Sequence, residues 1–124
     1  MKYDFDFSQR PDYILIKTGG FDVVEDFYNL LKDLFASPNW TQGTALIIDH
    51  RYLDLKVLTL KQIKMIFSIL EFHADQLAET KCAFIIDLKG AALVNDLLNR
   101  MDQTSTIAVK FFTDPQSAKQ WLSD

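Results

Sequence analysis

Two acidic residues stand directly after short apolar runs in this chain: Asp49 follows residues 45–48, and Asp87 follows residues 82–86. Apolar runs of this length are typical of strands that are buried on both faces of a parallel sheet. Because ligands of open α/β sheets bind at the carboxyl ends of such strands, two carboxylates there could exchange protons with a substrate or hold a cation. Alternatively, each aspartate caps its own loop by accepting backbone hydrogen bonds, which is the interpretation we favour.

The residues that follow these carboxylates could line the same edge of the sheet. We therefore predict a possible ligand rim made of Asp49, His50, Arg51, Asp87, Lys89 and Gly90. Lys89 and Gly90 also open a predicted helix, whose free N–H groups would favour an anion. A single glycine falls short of a phosphate-binding loop, however, and small residues equally suit close packing of a helix on a sheet.

The other residue types that support catalysis are sparse. His50 and His73 are the only histidines, and their spacing does not match a metal-ligand pattern. Cys82 is the only cysteine, and its apolar surroundings would raise its pKa and reduce its reactivity. Since the sequence shows neither a nucleophile–base pair nor a metal-ligand spacing, it predicts no catalytic residue, no metal and no cofactor. We interpret the protein as one that is not an enzyme.

The composition indicates one globular domain that spans residues 1–124. Hydrophobic residues make up 48% of the chain and charged residues 24%, close to the average for globular proteins. The formal net charge of −4 argues against nucleic acid as a partner and against attachment to anionic lipid. No stretch approaches the ~20 apolar residues of a membrane span, and the N-terminus lacks an apolar signal core. We therefore expect a cytoplasmic protein without stable membrane insertion, in keeping with its single cysteine.

Hydrophobic periodicity and turn residues predict strands that alternate with helices. The predicted strands are residues 3–8, 13–17, 45–48, 82–86 and 107–112, and the predicted helices are residues 22–36, 59–79, 89–101 and 115–122. Strands that alternate with helices imply parallel pairing through right-handed crossovers. The predicted fold is α/β: an N-terminal β-hairpin then four β-α turns, with a mostly parallel mixed sheet and an antiparallel edge strand.

The predicted helix 59–79 carries apolar residues on more than one side. It opens with a capping box of Thr59 and Gln62. Its core stripe consists of Ile63, Ile66, Phe67, Leu70, Ala74 and Leu77. A second stripe falls roughly opposite and consists of Met65, Ile69 and Phe72. Either a neighbouring helix of the same domain covers this second stripe, or it is a surface for self-association, a protein partner or a ligand, which we favour.

The order of the elements and four sequence segments carry a resemblance to a known family. The segments are residues 13–17 before a helix, residues 46–49 ending in an acid, residues 81–87, and the tail 118–122. The chain resembles STAS-like domains, which include anti-sigma-factor antagonists such as SpoIIAA and the tails of sulfate transporters. It is most similar to small bacterial SpoIIAA-like proteins of unknown specific function that are grouped with lipid-binding SEC14 modules.

The resemblance implies a binding or regulatory module rather than an enzyme. In the anti-sigma-factor antagonists, a kinase phosphorylates a serine within an Asp-Ser-Ser-Gly motif at the start of the second helix. Here the corresponding residues 57–60 lack the glycine, and Thr59 is the hydroxyl near that position, so it is the possible phosphorylation site. We expect a regulatory or protein-interaction module that forms a homodimer. The alternative is a carrier or sensor of a small apolar ligand or lipid, suggested by ten phenylalanines and by the likeness to SEC14 modules.

Overall fold

The computed structural model describes residues 1–21, 24–54, 59–98 and 107–124. Its strands are β1 (Lys2–Asp6), β2 (Ile14–Phe21), β3 (Leu46–Asp49), β4 (Leu53–Asp54), β5 (Lys81–Ile85) and β6 (Ala108–Phe112). Its helices are α1 (Val24–Ala36), α2 (Leu60–Phe72), α3 (Leu88–Leu98) and α4 (Pro115–Ser123). The start of the first predicted helix at residues 22–23 and the end of the third beyond residue 98 lie outside the described residues.

The strands form a mixed sheet in the order β1-β2-β3-β5-β6. β1 pairs antiparallel with β2 at one edge, and the pairs β2–β3, β3–β5 and β5–β6 are parallel. The predicted α/β fold with an antiparallel edge strand is therefore confirmed. The two-residue strand β4, which pairs in parallel with the end of β2, was not predicted because two residues are too short to show a periodicity.

Helices cover the sheet on both faces. α1, α2 and α3 pack on one face, against alternate strand residues such as Ile16, Ile48 and Phe84. α4 packs on the other face, against Ile47 and the alternate residues of β5. Every residue of β3 is buried, as the short apolar run at this position predicts.

α2 begins as predicted and ends earlier than predicted. The backbone N–H of Gln62 donates to Thr59 Oγ1 at 3.2 Å, and the N–H of Thr59 donates to Gln62 Oε1 at 2.8 Å, which confirms the capping box. The α-helix ends at Phe72 and not near Glu79. Residues 73–79 form turns, yet Leu77 remains buried in the core. The sequence predicts a longer helix because its apolar spacing of three and four residues continues to Leu77. In the structure, turns bury that side chain instead.

Removing the capping hydroxyl is expected to destabilise the fold. Thr59→Ala should lower the free energy of unfolding by roughly 0.5–2 kcal/mol, because the N–H of Gln62 loses its acceptor. Thr59→Ser keeps that acceptor and serves as the matched control. Urea denaturation of the three proteins measures the difference, and equal stability of Thr59→Ala and wild type would contradict the capping role.

Candidate functional site

Asp49 ends β3 and holds the loop that follows it. Its carboxylate is buried and binds Arg51 in a bidentate pair: Nε donates to Oδ1 at 3.0 Å, and Nη2 donates to Oδ2 at 2.7 Å. The backbone N–H of Arg51 also donates to Oδ1 at 3.1 Å. Burial acts to raise the pKa of Asp49, but the hydrogen bonds and charge of Arg51 outweigh it and hold that pKa below its ordinary value. Asp49 is therefore ionised at neutral pH and engaged with its own loop.

Asp87 has an equally local partner. Its side chain is exposed, and Oδ1 accepts a hydrogen bond from the backbone N–H of Gly90 at 2.6 Å, so that it caps the start of α3. The described hydrogen bonds and ion pairs do not join this carboxylate to Asp49. Lys89 and Gly90 both lie in the first turn of α3, where Lys89 is exposed and Gly90 is buried. The capping interpretation, which we favoured for both aspartates, is confirmed.

His50 lies on the other side of the same strand end. Asp49 and Arg51 line a cleft beside α4, whereas the His50 ring faces the side covered by α1, α2 and α3. Consecutive residues at the end of a strand point to opposite faces, so the predicted rim is divided between the two faces of the sheet. The His50 backbone N–H donates to the carbonyl of Ile85 at 2.7 Å, which fixes this strand end to β5.

A buried threonine orients the His50 ring. Thr18 Oγ1 lies 2.9 Å from the carbonyl oxygen of Asp49 and 2.6 Å from Nδ1 of His50. A hydroxyl has one hydrogen; if that hydrogen is donated to the carbonyl of Asp49, Thr18 Oγ1 must accept from Nδ1–H of His50. The His50 ring also contacts Phe84, whose ring centre is 5.5 Å from that of His50.

Among the residues that the structure describes, His50 is the polar side chain that lines an apolar cavity beneath α2. The cavity has a volume of about 50 Å³. Its other lining residues come from the core-facing sides of α1, α2 and α3, from the sheet and from the N-terminus: Met1, Phe27, Leu53, Ile63, Ile66, Phe67, Leu70, Phe84, Ile86, Val94, Val109 and Phe111. Burial lowers the pKa of His50 to about 4, although the charge of Asp49 acts in the opposite direction. At neutral pH the His50 ring is therefore uncharged, and the N-terminal ammonium of Met1, another lining residue, is paired with Asp26 at 2.6 Å.

The second apolar stripe of α2 is only partly exposed. Met65 is 44% exposed and Phe72 is 72% exposed, as the pattern indicates. Ile69, by contrast, is half-buried and packs against the core, so the expectation that all three residues face away from it is wrong. At 100° per residue Ile69 lies about 60° from the core residue Ile66, which is close enough for its side chain to reach the core edge.

An aromatic residue of α1 completes the exposed surface. Tyr28 is 38% exposed, and its ring centre lies 6.0 Å from that of Phe72. We call Tyr28, Met65 and Phe72 the α1–α2 surface. Tyr28 could not be found from the sequence, because its position beside Phe72 depends on how two helices pack.

The remaining candidate residues are Cys82 and Thr59. Cys82 is fully buried in β5, and burial raises the pKa of its thiol to about 12. Thr59 is exposed at the N-cap of α2. Among residues 1–21, 24–54, 59–98 and 107–124, no cluster of His, Cys, Asp and Glu side chains could hold a metal ion. None of the helices in these ranges is long and apolar enough to cross a membrane.

Comparison with known proteins identifies the fold. No protein-family model matches the chain, and no curated protein matches it either. Among solved structures, the chain is similar to an uncharacterised protein of the DUF3478 family from Shewanella loihica PV-4, which has a SpoIIAA-like fold. The two chains are 23% identical, the match covers 98% of this chain and 92% of the other, and the TM-score is 0.56. This protein is therefore an α/β domain with a SpoIIAA-like fold, as the sequence resemblance implied.

Acidification is expected to destabilise the fold through His50. The pKa of about 4 in the folded protein lies below the ordinary value of about 6.5 in an unfolded chain. Between these values the unfolded chain binds a proton that the folded protein does not, so stability is fully present above pH ~6.5 and falls as the pH falls toward 4. Lowering the pH from about 7.5 to about 5 should cost up to about 2 kcal/mol through this group.

Urea denaturation at the two pH values tests this expectation in wild type and in His50→Gln. The loss of stability on acidification should be smaller in His50→Gln, because the titrating ring is gone. His73→Gln is the matched control, since it removes the other histidine and leaves His50 in place. An identical pH dependence in wild type and His50→Gln would show that His50 titrates normally.

Proposed function

We propose that this protein is a non-enzymatic regulatory and protein-interaction module, and that it forms a homodimer through the α1–α2 surface. The observation that carries the proposal is the exposure of Met65 and Phe72 on one side of α2, with Tyr28 beside Phe72. Each such side chain gains roughly 1.5–3 kcal/mol when it is fully buried. Exposed apolar side chains grouped on one side of a helix fit an interaction site better than single exposed ones do.

The charges along α2 favour a second copy of the same helix as the partner. Exposed Lys61 and Lys64 lie in its first half, and exposed Glu71 lies in its last turn, followed by exposed Asp75. In a two-fold symmetric, antiparallel pair of α2 helices, the basic half of one copy faces the acidic end of the other. Opposite charges at the rim of an apolar contact favour the correct register and suppress other partners.

The surroundings of the reactive side chains support binding rather than catalysis. Asp49 is engaged by Arg51, Asp87 caps α3, and the thiol of Cys82 is buried with a raised pKa. Each of these groups has a local structural role that accounts for its position. The single cysteine also favours a reducing compartment, and we place the module in the cytoplasm.

Thr59 offers a way to regulate the proposed surface. It is exposed and lies at the N-terminus of α2, the helix that carries Met65 and Phe72. A phosphoryl group there would be stabilised by the free N–H groups of the first helical turn. Thr59 therefore remains the proposed phosphorylation site, in a sequence that lacks the Asp-Ser-Ser-Gly motif.

A second candidate function is that of a carrier or sensor of a small apolar ligand. The cavity beneath α2 favours it, because its described walls are apolar and one polar side chain, His50, could fix the orientation of a ligand. At about 50 Å³ the cavity has room for a molecule of a few heavy atoms rather than for a lipid chain. A small molecule that co-purifies with the protein and is detected by native mass spectrometry would support this candidate.

Charged substitutions on the α1–α2 surface are expected to separate the homodimer. Met65→Lys combined with Phe72→Lys should give a folded monomer, because lysine ammonium groups cannot be buried in a symmetric apolar contact. Sedimentation should show half the wild-type mass, while far-UV circular dichroism stays unchanged. Ile69 is left unaltered, since its side chain packs against the core and a charge there would destabilise the domain as well as the contact.

Leu88→Lys is the matched control for these substitutions. Leu88 is 77% exposed and lies at the start of α3, outside the α1–α2 surface, so this variant should remain a dimer. Two results would contradict the proposal: a monomeric wild type at micromolar concentration, or a dimer that persists in the double variant.

A further inference from the structure

The cavity beneath α2 has one polar side chain, His50, on a wall that is otherwise apolar in the described part of the chain. From this arrangement we infer that the cavity binds a small, uncharged, mostly apolar molecule with one hydrogen-bond donor, and that Nε2 of His50 accepts that hydrogen bond. An alcohol is the simplest member of this chemical class. The inference rests on the second candidate function and adds to it the feature by which the ligand is recognised.

The hydrogen bonds of Thr18 determine which ring nitrogen is available. Thr18 Oγ1 is close to both the Asp49 carbonyl oxygen, at 2.9 Å, and His50 Nδ1, at 2.6 Å. For both contacts to be hydrogen bonds, the threonine must donate to the carbonyl oxygen, which can only accept, and Nδ1 must supply the hydrogen for the second bond. In a neutral imidazole with its proton on Nδ1, Nε2 is an acceptor. A ligand at Nε2 must therefore be the donor.

The walls of the cavity define the rest of the ligand. Phe84 and Phe111 from the sheet and Ile63, Ile66 and Phe67 from α2 present hydrocarbon to its interior. A charged group would lose its hydration there, and the ammonium of Met1 is already paired with Asp26 at 2.6 Å, which argues against carboxylates and ammonium groups as ligands. The volume of about 50 Å³ limits the ligand to a few heavy atoms.

Two probes of equal heavy-atom number distinguish recognition of a donor from simple filling of the cavity. n-Propanol carries a hydroxyl, and n-propyl chloride carries a chlorine in its place. Each is titrated into wild type and into His50→Phe, which keeps a ring of similar size, and affinities are read from amide chemical-shift changes around the cavity. The ratio of the propanol affinity to the chloride affinity should fall at least roughly fivefold in His50→Phe, because the buried hydroxyl loses its acceptor.

A measurement on wild type keeps the inference testable if His50→Phe does not fold. Nitrogen-15 NMR of the histidine side chains at neutral pH reports which ring nitrogen of His50 is protonated. Protonation of Nδ1 is expected, and protonation of Nε2 would overturn the inference outright.

Recognition of a donor by His50 can fail while the cavity still binds small molecules, and the two probes separate these cases. If both probes bind and their affinity ratio is the same in wild type and His50→Phe, the cavity is a ligand site but His50 does not recognise a donor, and the inference is wrong. If neither probe binds wild type at millimolar concentrations, the cavity does not accept small molecules, and the second candidate function fails together with the inference.

Discussion

Burial of the central parallel strands from both sides is the constraint on which the rest of this structure depends. In β3, Leu46 and Ile48 face one side of the sheet and Ile47 faces the other, and all three are essentially inaccessible to solvent. A parallel strand of this kind is stable only when helices cover both faces. The crossover helices α1, α2 and α3 cover one face and α4 covers the other. Each crossover helix therefore presents one side to the core, and its opposite side faces away from the sheet.

The residues at the end of β3 lie on opposite faces of the sheet, and each lines a different cleft or cavity. Asp49 is directed toward the α4 side, where Arg51 neutralises it, and His50 is directed toward the α2 side, where it meets the cavity. Thr18 of β2 bonds to the Asp49 carbonyl and to the His50 ring, so the same threonine fixes the strand end and the imidazole. The imidazole of His50 can be held at an apolar cavity wall because Nδ1, one of its two ring nitrogens, already hydrogen-bonds to Thr18 of the sheet.

The mixed sheet and the local features of this protein could be predicted from its sequence, and contacts between particular side chains of distant segments could not. The capping box of Thr59 and Gln62 lies within four consecutive residues, and its prediction is confirmed. The early end of α2 was missed because the turns after Phe72 bury Leu77 as a longer helix would. The position of Tyr28 beside Phe72 and the cavity at His50 arise from contacts between elements far apart in the chain, which no periodicity records.

In the proposed homodimer, two copies of α2 pack antiparallel through the α1–α2 surface, and a cysteine cross-link tests this arrangement most directly. With Lys64 of one copy opposite Glu71 of the other, the two-fold axis passes near Ser68, which is exposed. Ser68→Cys should form a disulfide-linked dimer rapidly under mild oxidation, and the buried thiol of Cys82 should not compete. The control is Lys119→Cys, an exposed position on α4 on the far side of the sheet. Cross-linking of Ser68→Cys no faster than that of Lys119→Cys would contradict the account.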